Sequence, residues 1–154
     1  MARKTARTAA MQMIFERLSG GEGGDDTLRM IYDELRSEGT EADSEAPNVE
    51  DRAWIETVLA GVLSHQEEID SLIAANSKKW ALNRMPRVDL TIMRLAVWEI
   101  LYEEDVPGRV AINEAVEIAN RYGNSDSSGS FINGVLGSIY RDWEKKQKAS
   151  ENPQ

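Results

Sequence analysis

The chain has 154 residues, of which 41% are hydrophobic and 29% are charged, and its 27 acidic and 18 basic side chains give a net charge of −9. This length suits one hydrophobic core and is short for a catalytic domain beside a recognition domain, so we expect a single domain over residues 1–154. The absence of cysteine excludes disulfides, thiolate metal sites, iron–sulfur clusters and cysteine nucleophiles, and it favours a reducing, cytoplasmic compartment.

The first third of the chain combines two predicted helices with polar connections. Residues 5–18 have small and apolar side chains at helical spacing, which predicts an amphipathic helix. The Gly-rich run at 19–26 predicts a mobile linker, and the apolar stripe within 27–36 predicts a short surface helix. The low hydrophobicity of 38–50 predicts an exposed acidic loop. Residues 19–48 are therefore expected to form a Gly-rich, acidic connection that contains one short helix.

Two more helices are predicted before the middle of the chain. Asn48 is a natural N-cap for an apolar stripe that runs to Val62. A second helix is expected to start at Ser64 or His65. The segment 76–86 lacks a continuous stripe and ends in proline, so it is expected to connect this helix to the second half.

The second half is predicted to hold three helices. Residues 87–103 are apolar around most of the helix circumference, which predicts a central, buried helix. The next helix ends at Gly123, and the last begins at about Ser130 and precedes a mobile tail over 145–154. No window alternates with a period of two over the length of a strand. The fold is therefore predicted to be all-α, with about seven helices.

Several function classes are disfavoured by the absence of their residues. The only histidine, His65, has no neighbour that marks a nucleophile and its base, and no histidine lies at metal-ligand spacing from a pair of carboxylates. No run approaches the about 18 apolar residues of a membrane span, and no apolar signal segment follows the N-terminus. We expect no enzyme, catalytic residue, metal, cofactor or membrane partner. A binding module remains.

The charge is distributed unevenly along the chain. Overall acidity disfavours a polyanionic partner. However, residues 1–15 carry +3, whereas residues 16–68 carry −11. The three cations are Arg3, Lys4 and Arg7, and they lie at the entry to the first predicted helix. Three cations are a weak signal, and solubility is an alternative explanation.

A second feature typical of RNA binding is Phe131. It follows a polar loop and is offset from the buried stripe that begins at Ile132. Exposed aromatic rings stack on the bases of single-stranded RNA, while cations meet the phosphates. The alternative is that Phe131 acts as a hydrophobic staple that fixes the entry of the last helix.

Five blocks of sequence are characteristic when taken together, and those within 106–136 have an order and spacing that chance rarely produces, whereas the basic N-terminus alone would prove little. They are Arg3-Lys-x-x-Arg-x-x-Ala-x-Gln12, Leu59-Ala-Gly-Val62, Arg94-Leu-Ala-Val-Trp-Glu-Ile100, Val106-Pro with Val110-Ala-Ile-Asn-Glu-Ala-Val116, and Phe131-Ile-Asn-Gly-Val-Leu136. Through these blocks nearly the whole chain resembles the NusB transcription antitermination factors of bacteria.

The resemblance implies a fold and a function. The fold would be two three-helix bundles joined along a central helix. The function would be non-enzymatic. Family members pair with NusE, a small-subunit ribosomal protein, and the pair binds the boxA sequence of nascent ribosomal RNA transcripts. The complex then helps RNA polymerase to read through terminators.

The resemblance also assigns roles to individual positions. Those facing single-stranded boxA-type RNA would be Arg3, Lys4, Arg7, Asp126, Ser127 and Phe131. Those facing NusE would be Phe15 and Asp89. The RNA and partner sites would adjoin, because Phe15 lies two helical turns beyond Arg7.

Two departures and two alternatives limit this assignment. The 19–48 connection is longer than expected, and the loop 123–131 has one residue more than some relatives and no lysine or arginine. The family pattern also occurs on RNA cytosine methyltransferases, but eighteen residues after Leu136 leave no room for a cofactor-binding sheet, so we expect the freestanding factor. The other alternative is a protein–protein scaffold or a homodimer that covers the basic face. The salt dependence of binding distinguishes this alternative from RNA binding, because RNA binding through phosphates weakens as the salt concentration rises.

Overall fold

A computed structural model describes the backbone over residues 2–37, 48–78 and 81–151, and the side chains over 4–35, 48–78 and 81–150. These residues form seven α-helices and no strand, so the all-α prediction is confirmed. None of these helices is long and apolar enough to span a membrane. Most of the predicted acidic loop, residues 38–47, lies outside the described residues. Chain contacts divide the molecule into two compact units, Met1–Ser64 and His65–Gln154.

The first unit is a three-helix bundle. Its helices are α1 (Ala2–Leu18), α2 (Asp25–Ser37) and α3 (Val49–Ser64). Helix α1 contacts both α2 and α3. The predicted stripes of α2 and α3 are buried, with the side chains of Leu28, Ile31, Tyr32, Leu35, Ile55, Val58, Leu59 and Val62 in the core. Apolar burial at helical spacing therefore holds this unit together.

Helix α1 is buried more widely than an amphipathic helix would be. Every side chain from Thr5 to Met11 is buried, including the polar Thr5, Arg7 and Thr8. Small side chains such as Ala6 let neighbouring groups approach the helix closely. The prediction of one apolar face on α1 was therefore wrong.

The Gly-rich segment after α1 forms a turn held by hydrogen bonds. The guanidinium of Arg17 donates from Nε and Nη2 to the carbonyl oxygen of Gly23, over 3.2 and 2.8 Å. Gly20 and Gly23 have positive φ values of 99° and 53°, which side chains with a Cβ rarely adopt. The open linker expected here is instead a closed turn that leads directly into α2 at Asp25.

The predicted N-cap of α3 is present as a reciprocal pair of hydrogen bonds between Asn48 and Asp51. The amide of Asp51 donates to Asn48 Oδ1 over 2.7 Å, and the amide of Asn48 donates to Asp51 Oδ2 over 3.4 Å. This reciprocal arrangement satisfies two backbone donors at the helix start. The N-cap assigned to Asn48 from sequence is confirmed.

The second unit is built around a buried helix. Its helices are α4 (Gln66–Asn76), α5 (Arg87–Tyr102), α6 (Gly108–Tyr122) and α7 (Ser128–Glu151). Helix α5 contacts α4, α6 and α7, and all its residues from Asp89 to Ile100 except Arg94 are buried. The central, buried helix predicted from the apolar run is confirmed. Within its described residues, this unit therefore contains the central helix α5 and three further helices.

The last helix is longer than its apolar stripe. Helix α7 begins at Ser128 and continues to Glu151, whereas the sequence predicted a start near Ser130 and a tail from residue 145. Lysine, glutamine and alanine between 145 and 149 are good helix formers, so the helix extends beyond its packed part as an exposed segment. Residues 152–154 lie outside the described chain.

Two polar contacts fix α4 within the second unit. Arg94 on α5 donates from Nε to Asp70 Oδ1 over 2.8 Å and from Nη2 to Asp70 Oδ2 over 3.0 Å. The Ser138 hydroxyl of α7 donates to Asn76 Oδ1 over 2.6 Å. The Arg94 and Asp70 side chains are only 13% and 19% exposed, so solvent screens their ion pair weakly.

We predict that Arg94→Met lowers the free energy of unfolding by about 2 kcal/mol, because it leaves the largely buried Asp70 carboxylate without its two charged hydrogen bonds. Urea denaturation followed by circular dichroism measures the loss. Arg84→Met, at an exposed arginine of the short turn before α5, is the matched control and should change stability by less than about 0.5 kcal/mol. Equal losses in the two variants would contradict a stabilising role for the ion pair.

Candidate nucleic-acid interface

The predicted cations of the first unit lie in the first two turns of α1 and differ in exposure. Lys4 is exposed, whereas Arg7 is only 5% exposed. Arg7 has interaction partners within the protein, as a buried guanidinium requires. Arg3 belongs to the same helix, but its side chain lies outside the described residues. Lys4 is therefore exposed to solvent and also has an interaction within the protein, whereas Arg7 offers little surface in this arrangement.

Phe15, the predicted partner-facing ring of the first unit, lies near the end of α1. Its side chain is half-buried, so part of the ring is accessible. Its carbonyl oxygen accepts a hydrogen bond from the Ser19 amide over 3.0 Å, which starts the turn after the helix. The described structure is compatible with a partner contact at Phe15, which stays a prediction.

The predicted ring of the second unit lies in the first turn of α7. The amide of Phe131 donates to the carbonyl oxygen of Ser127 over 3.0 Å, so the ring is carried by regular helix. Its side chain is half-buried, and the next residue, Ile132, is fully buried. The neighbouring Ile132 anchors the turn in the core and leaves Phe131 at its edge.

A hydroxyl network shapes the loop before α7. Asp126 and Ser127 are both exposed, as an RNA-facing loop requires. The Ser125 and Ser127 hydroxyl oxygens are 2.9 Å apart, and the Ser127 amide donates to Ser125 Oγ over 3.3 Å. The Ser125 amide in turn donates to Ser128 Oγ over 3.1 Å. The loop is therefore tied to the first residue of the helix.

Asp89 has an environment that its predicted role did not suggest. It was assigned to the NusE-facing surface, yet it is only 3% exposed. One carboxylate oxygen accepts a hydrogen bond from the Asn124 amide over 3.2 Å, and the other accepts one from the Ser128 hydroxyl over 2.9 Å. The carboxylate thus holds the loop between α6 and α7.

Two glycines beside the loop lie close to α6. A Cβ atom at Gly123 would lie 2.4 Å from the carbonyl oxygen of Ala119 and 2.7 Å from the Cβ of Ser128. A Cβ atom at Gly129 would lie 2.5 Å from Oδ1 of Asn120. Because real Cβ contacts are longer than this and the Ala119 oxygen belongs to the backbone, position 123 requires glycine for the present packing, whereas a Cβ at position 129 requires only a shift of the Asn120 side chain.

The structure groups the predicted site residues by unit. Lys4, Arg7 and Phe15 share α1 in the first unit. Asp89, Asp126, Ser127 and Phe131 share one end of the second unit, around the loop from Gly123 to Ser127. The second group is the more closely connected, because hydrogen bonds link the buried carboxylate, the loop and the start of α7.

Sequence reasoning missed three residues that build this end of the second unit and one that adds charge to it. Asn124, Ser125 and Ser128 supply the loop hydrogen bonds. The sequence signal that could have indicated them is Asp89, an aspartate within an apolar helix that needs polar partners. Arg121 is exposed in the last turn of α6, and its guanidinium carbon lies 6.0 Å from the centre of the Tyr122 ring. Arg121 therefore places a positive charge just before the loop from Gly123 to Ser127, which has no lysine or arginine of its own.

Metal chemistry has no obvious support in this part of the chain. Over the residues that the structure describes, no group of three or more histidine, aspartate or glutamate side chains could hold a metal ion. This end of the second unit offers the partly exposed ring of Phe131, the loop hydroxyls and the exposed cation of Arg121. These groups suit stacking and hydrogen bonding to a nucleic acid.

Comparison with known proteins identifies relatives over most of the chain. Residues 4–141 match the family model described as the NusB family. The transcription antitermination protein NusB of Clostridium botulinum (strain Loch Maree / Type A3) is 38% identical over 141 residues, which cover 90% of this chain and 99% of the relative. The protein of the same name from Trichlorobacter lovleyi is 43% identical over 137 residues, 87% of each chain.

Solved structures share the fold. T. maritima NusB matches with a TM-score of 0.73 and 32% identity, over 91% of each chain. A crystal structure of antitermination factors NusB and NusE in complex with dsRNA matches with a TM-score of 0.69 and 26% identity, over 92% of this chain and 97% of that chain.

We predict that Gly123→Ala lowers the free energy of unfolding by about 1–3 kcal/mol, because the added methyl would press on the backbone of α6. Gly134→Ala is the matched control. Its Cβ would meet nothing within 4 Å inside α7, so it should raise stability by about 0.5–1 kcal/mol. Thermal unfolding followed by circular dichroism compares the two, and a stabilising Gly123→Ala would contradict the close packing of the loop.

Proposed function

The chain belongs to the NusB family, and on that premise we propose that it is a transcription antitermination factor without enzymatic activity. With NusE it binds boxA-type single-stranded RNA of nascent ribosomal RNA transcripts and promotes read-through by RNA polymerase. The observation that carries the proposal is the family match over residues 4–141, with relatives named as antitermination proteins. The likeness to a NusB solved with NusE and RNA supports both binding partners.

The described residues supply the chemistry for single-stranded RNA at the loop of the second unit. Phe131 provides a partly exposed ring for base stacking, and Ser127, four residues earlier, provides an exposed hydroxyl. Arg121 and, in the first unit, Lys4 provide exposed cations for phosphates. Asp126 is also exposed, so it faces a phosphate backbone only with a donor or cation between them.

The charge distribution supports a requirement for NusE. The chain carries −9 overall, with −11 in residues 16–68, so most of it repels a polyanion. Few exposed cations mean few phosphate contacts, and affinity for RNA depends strongly on their number. A basic partner beside the site would add cations, and each ligand would then strengthen the binding of the other.

We predict that the full chain binds boxA RNA weakly alone and more tightly with NusE. Fluorescence anisotropy with a labelled boxA oligonucleotide measures both affinities, and a scrambled oligonucleotide and a duplex are the controls. The logarithm of the affinity should fall with the logarithm of the salt concentration, by about 0.7 for each phosphate contact. Lys4→Ala should reduce this slope by about one contact.

Two results would contradict the proposal. The first is the absence of boxA binding with and without NusE. The second is equal affinity for boxA and the scrambled RNA in the presence of NusE. Binding of NusE without any RNA would leave a protein–protein role in place of RNA recognition.

We predict that Phe131→Ala weakens RNA binding by about 1–3 kcal/mol through loss of the stacking ring, whereas Phe131→Tyr retains most of the affinity. Tyr102→Ala is the control, because Tyr102 is an exposed aromatic residue at the other end of the same unit, where its hydroxyl donates to Glu68. Anisotropy titrations at fixed salt measure all three. If Phe131→Ala and Tyr102→Ala bind equally well, the stacking site lies elsewhere.

A further inference from the structure

Asp89 lies where the first turns of two helices meet. It is the third residue of α5, and its carboxylate accepts a hydrogen bond from the hydroxyl of Ser128, the first residue of α7. The N-terminal end of an α-helix carries partial positive charge, which favours a carboxylate nearby. Two helix starts and two hydrogen bonds therefore stabilise a carboxylate that is only 3% exposed.

The carboxylate is continuous with the loop through hydrogen bonds. Ser128 Oγ donates to Asp89 and also accepts from the Ser125 amide, and the Ser125 and Ser127 hydroxyls are in contact. The carbonyl oxygen of Ser127 then accepts from the Phe131 amide. The chain of contacts runs from the buried carboxylate to the exposed loop and to the turn that carries the ring.

The geometry limits what Asp89 can do directly. A side chain with 3% exposure offers almost no surface to a partner, and both of its oxygens already accept hydrogen bonds from the loop. Asp89→Ala would remove the acceptor of the Asn124 amide and of the Ser128 hydroxyl, and Ser128 is buried, where a donor without a partner is costly. The main effect of the substitution would therefore be a change in the loop, and not the loss of a contact with a partner.

We propose that Asp89 is a positioning residue for RNA recognition: it holds the loop at Asn124–Ser128, and through it Phe131, in the arrangement that binds RNA. The inference rests on the proposed function, since it takes this loop and ring as the RNA site. It replaces a direct contact between Asp89 and a partner protein with an action through the loop.

The test compares Asp89→Ala, Asp89→Asn and Ser128→Ala with wild type. Hydrogen exchange of the Asn124 and Ser125 amides, followed by NMR in the full chain without RNA, reports the loop. Anisotropy with boxA RNA and NusE reports binding. We expect Asp89→Ala to speed exchange of the two amides and to weaken RNA binding, each by about tenfold or more. Asp89→Asn keeps an acceptor oxygen and should restore both to within about threefold.

Thr91→Val is the control for a general loss of stability. Thr91 is buried on α5 and its hydroxyl donates only locally, to the Arg87 carbonyl oxygen over 2.7 Å. It should leave exchange at Asn124 and RNA affinity unchanged. Ser128→Ala removes the loop side of the contact and should lower RNA affinity in the same direction as Asp89→Ala. It also decides the question if Asp89→Ala fails to fold.

The outcomes separate the inference from the function on which it rests. Unchanged exchange at Asn124 in Asp89→Ala, or faster exchange with unchanged RNA affinity, overturns the inference. Weaker NusE binding with normal loop exchange would instead indicate a direct partner contact and also overturns it. If wild type binds no RNA, the proposed function fails, while hydrogen exchange alone still decides whether Asp89 holds the loop.

Discussion

The carboxylate of Asp89 joins parts of the second unit that are far apart in sequence. Its hydrogen bonds connect the start of α5 to the loop after α6 and to the start of α7. Apolar burial accounts for the packing of these helices, but it does not specify the conformation of a polar loop. A buried carboxylate specifies the loop conformation, because its hydrogen bonds must be satisfied in one geometry. The glycine at position 123 then allows the loop to lie against the backbone of α6.

The helices could be predicted from the sequence because their signals are local. The stripe around Val58 and Val62, the Asn48 cap and the apolar run of α5 each depend on residues within a few turns. The contacts that were missed join distant residues. Arg7 reads as a surface cation until its burial is known, and Asp89 reads as a charged interruption until Ser128, 39 residues later, is placed beside it. The same limit applies to the turn after α1. Its glycines predict a flexible backbone, but the hydrogen bond from Arg17 to the Gly23 carbonyl oxygen closes the turn.

The predicted site residues of the two units differ in their chemistry. The first unit offers an exposed lysine at the start of a widely buried helix, and its half-buried Phe15 follows on the same helix. The second offers a ring and hydroxyls on a loop shaped by an internal carboxylate. An exposed cation suits contacts to phosphates, which supply affinity, whereas a ring and hydroxyls suit contacts to bases, which supply selectivity. Conversely, the acidic residues between 16 and 68 limit where a polyanion can approach.

The long sequence separation between Asp89 and Ser128 also bears on the order of folding. Neighbouring helices of the second unit contact one another, as α5 and α6 do and as α6 and α7 do, and such pairs close short loops. The bond between Asp89 and Ser128 spans 39 residues and needs three helices in place before it can form. We therefore expect the loop to be among the last segments to order as the chain folds and among the first to open in the native state. Such a loop reaches the arrangement that Asp89 holds only after the helices of the second unit have packed, so the recognition surface is completed last.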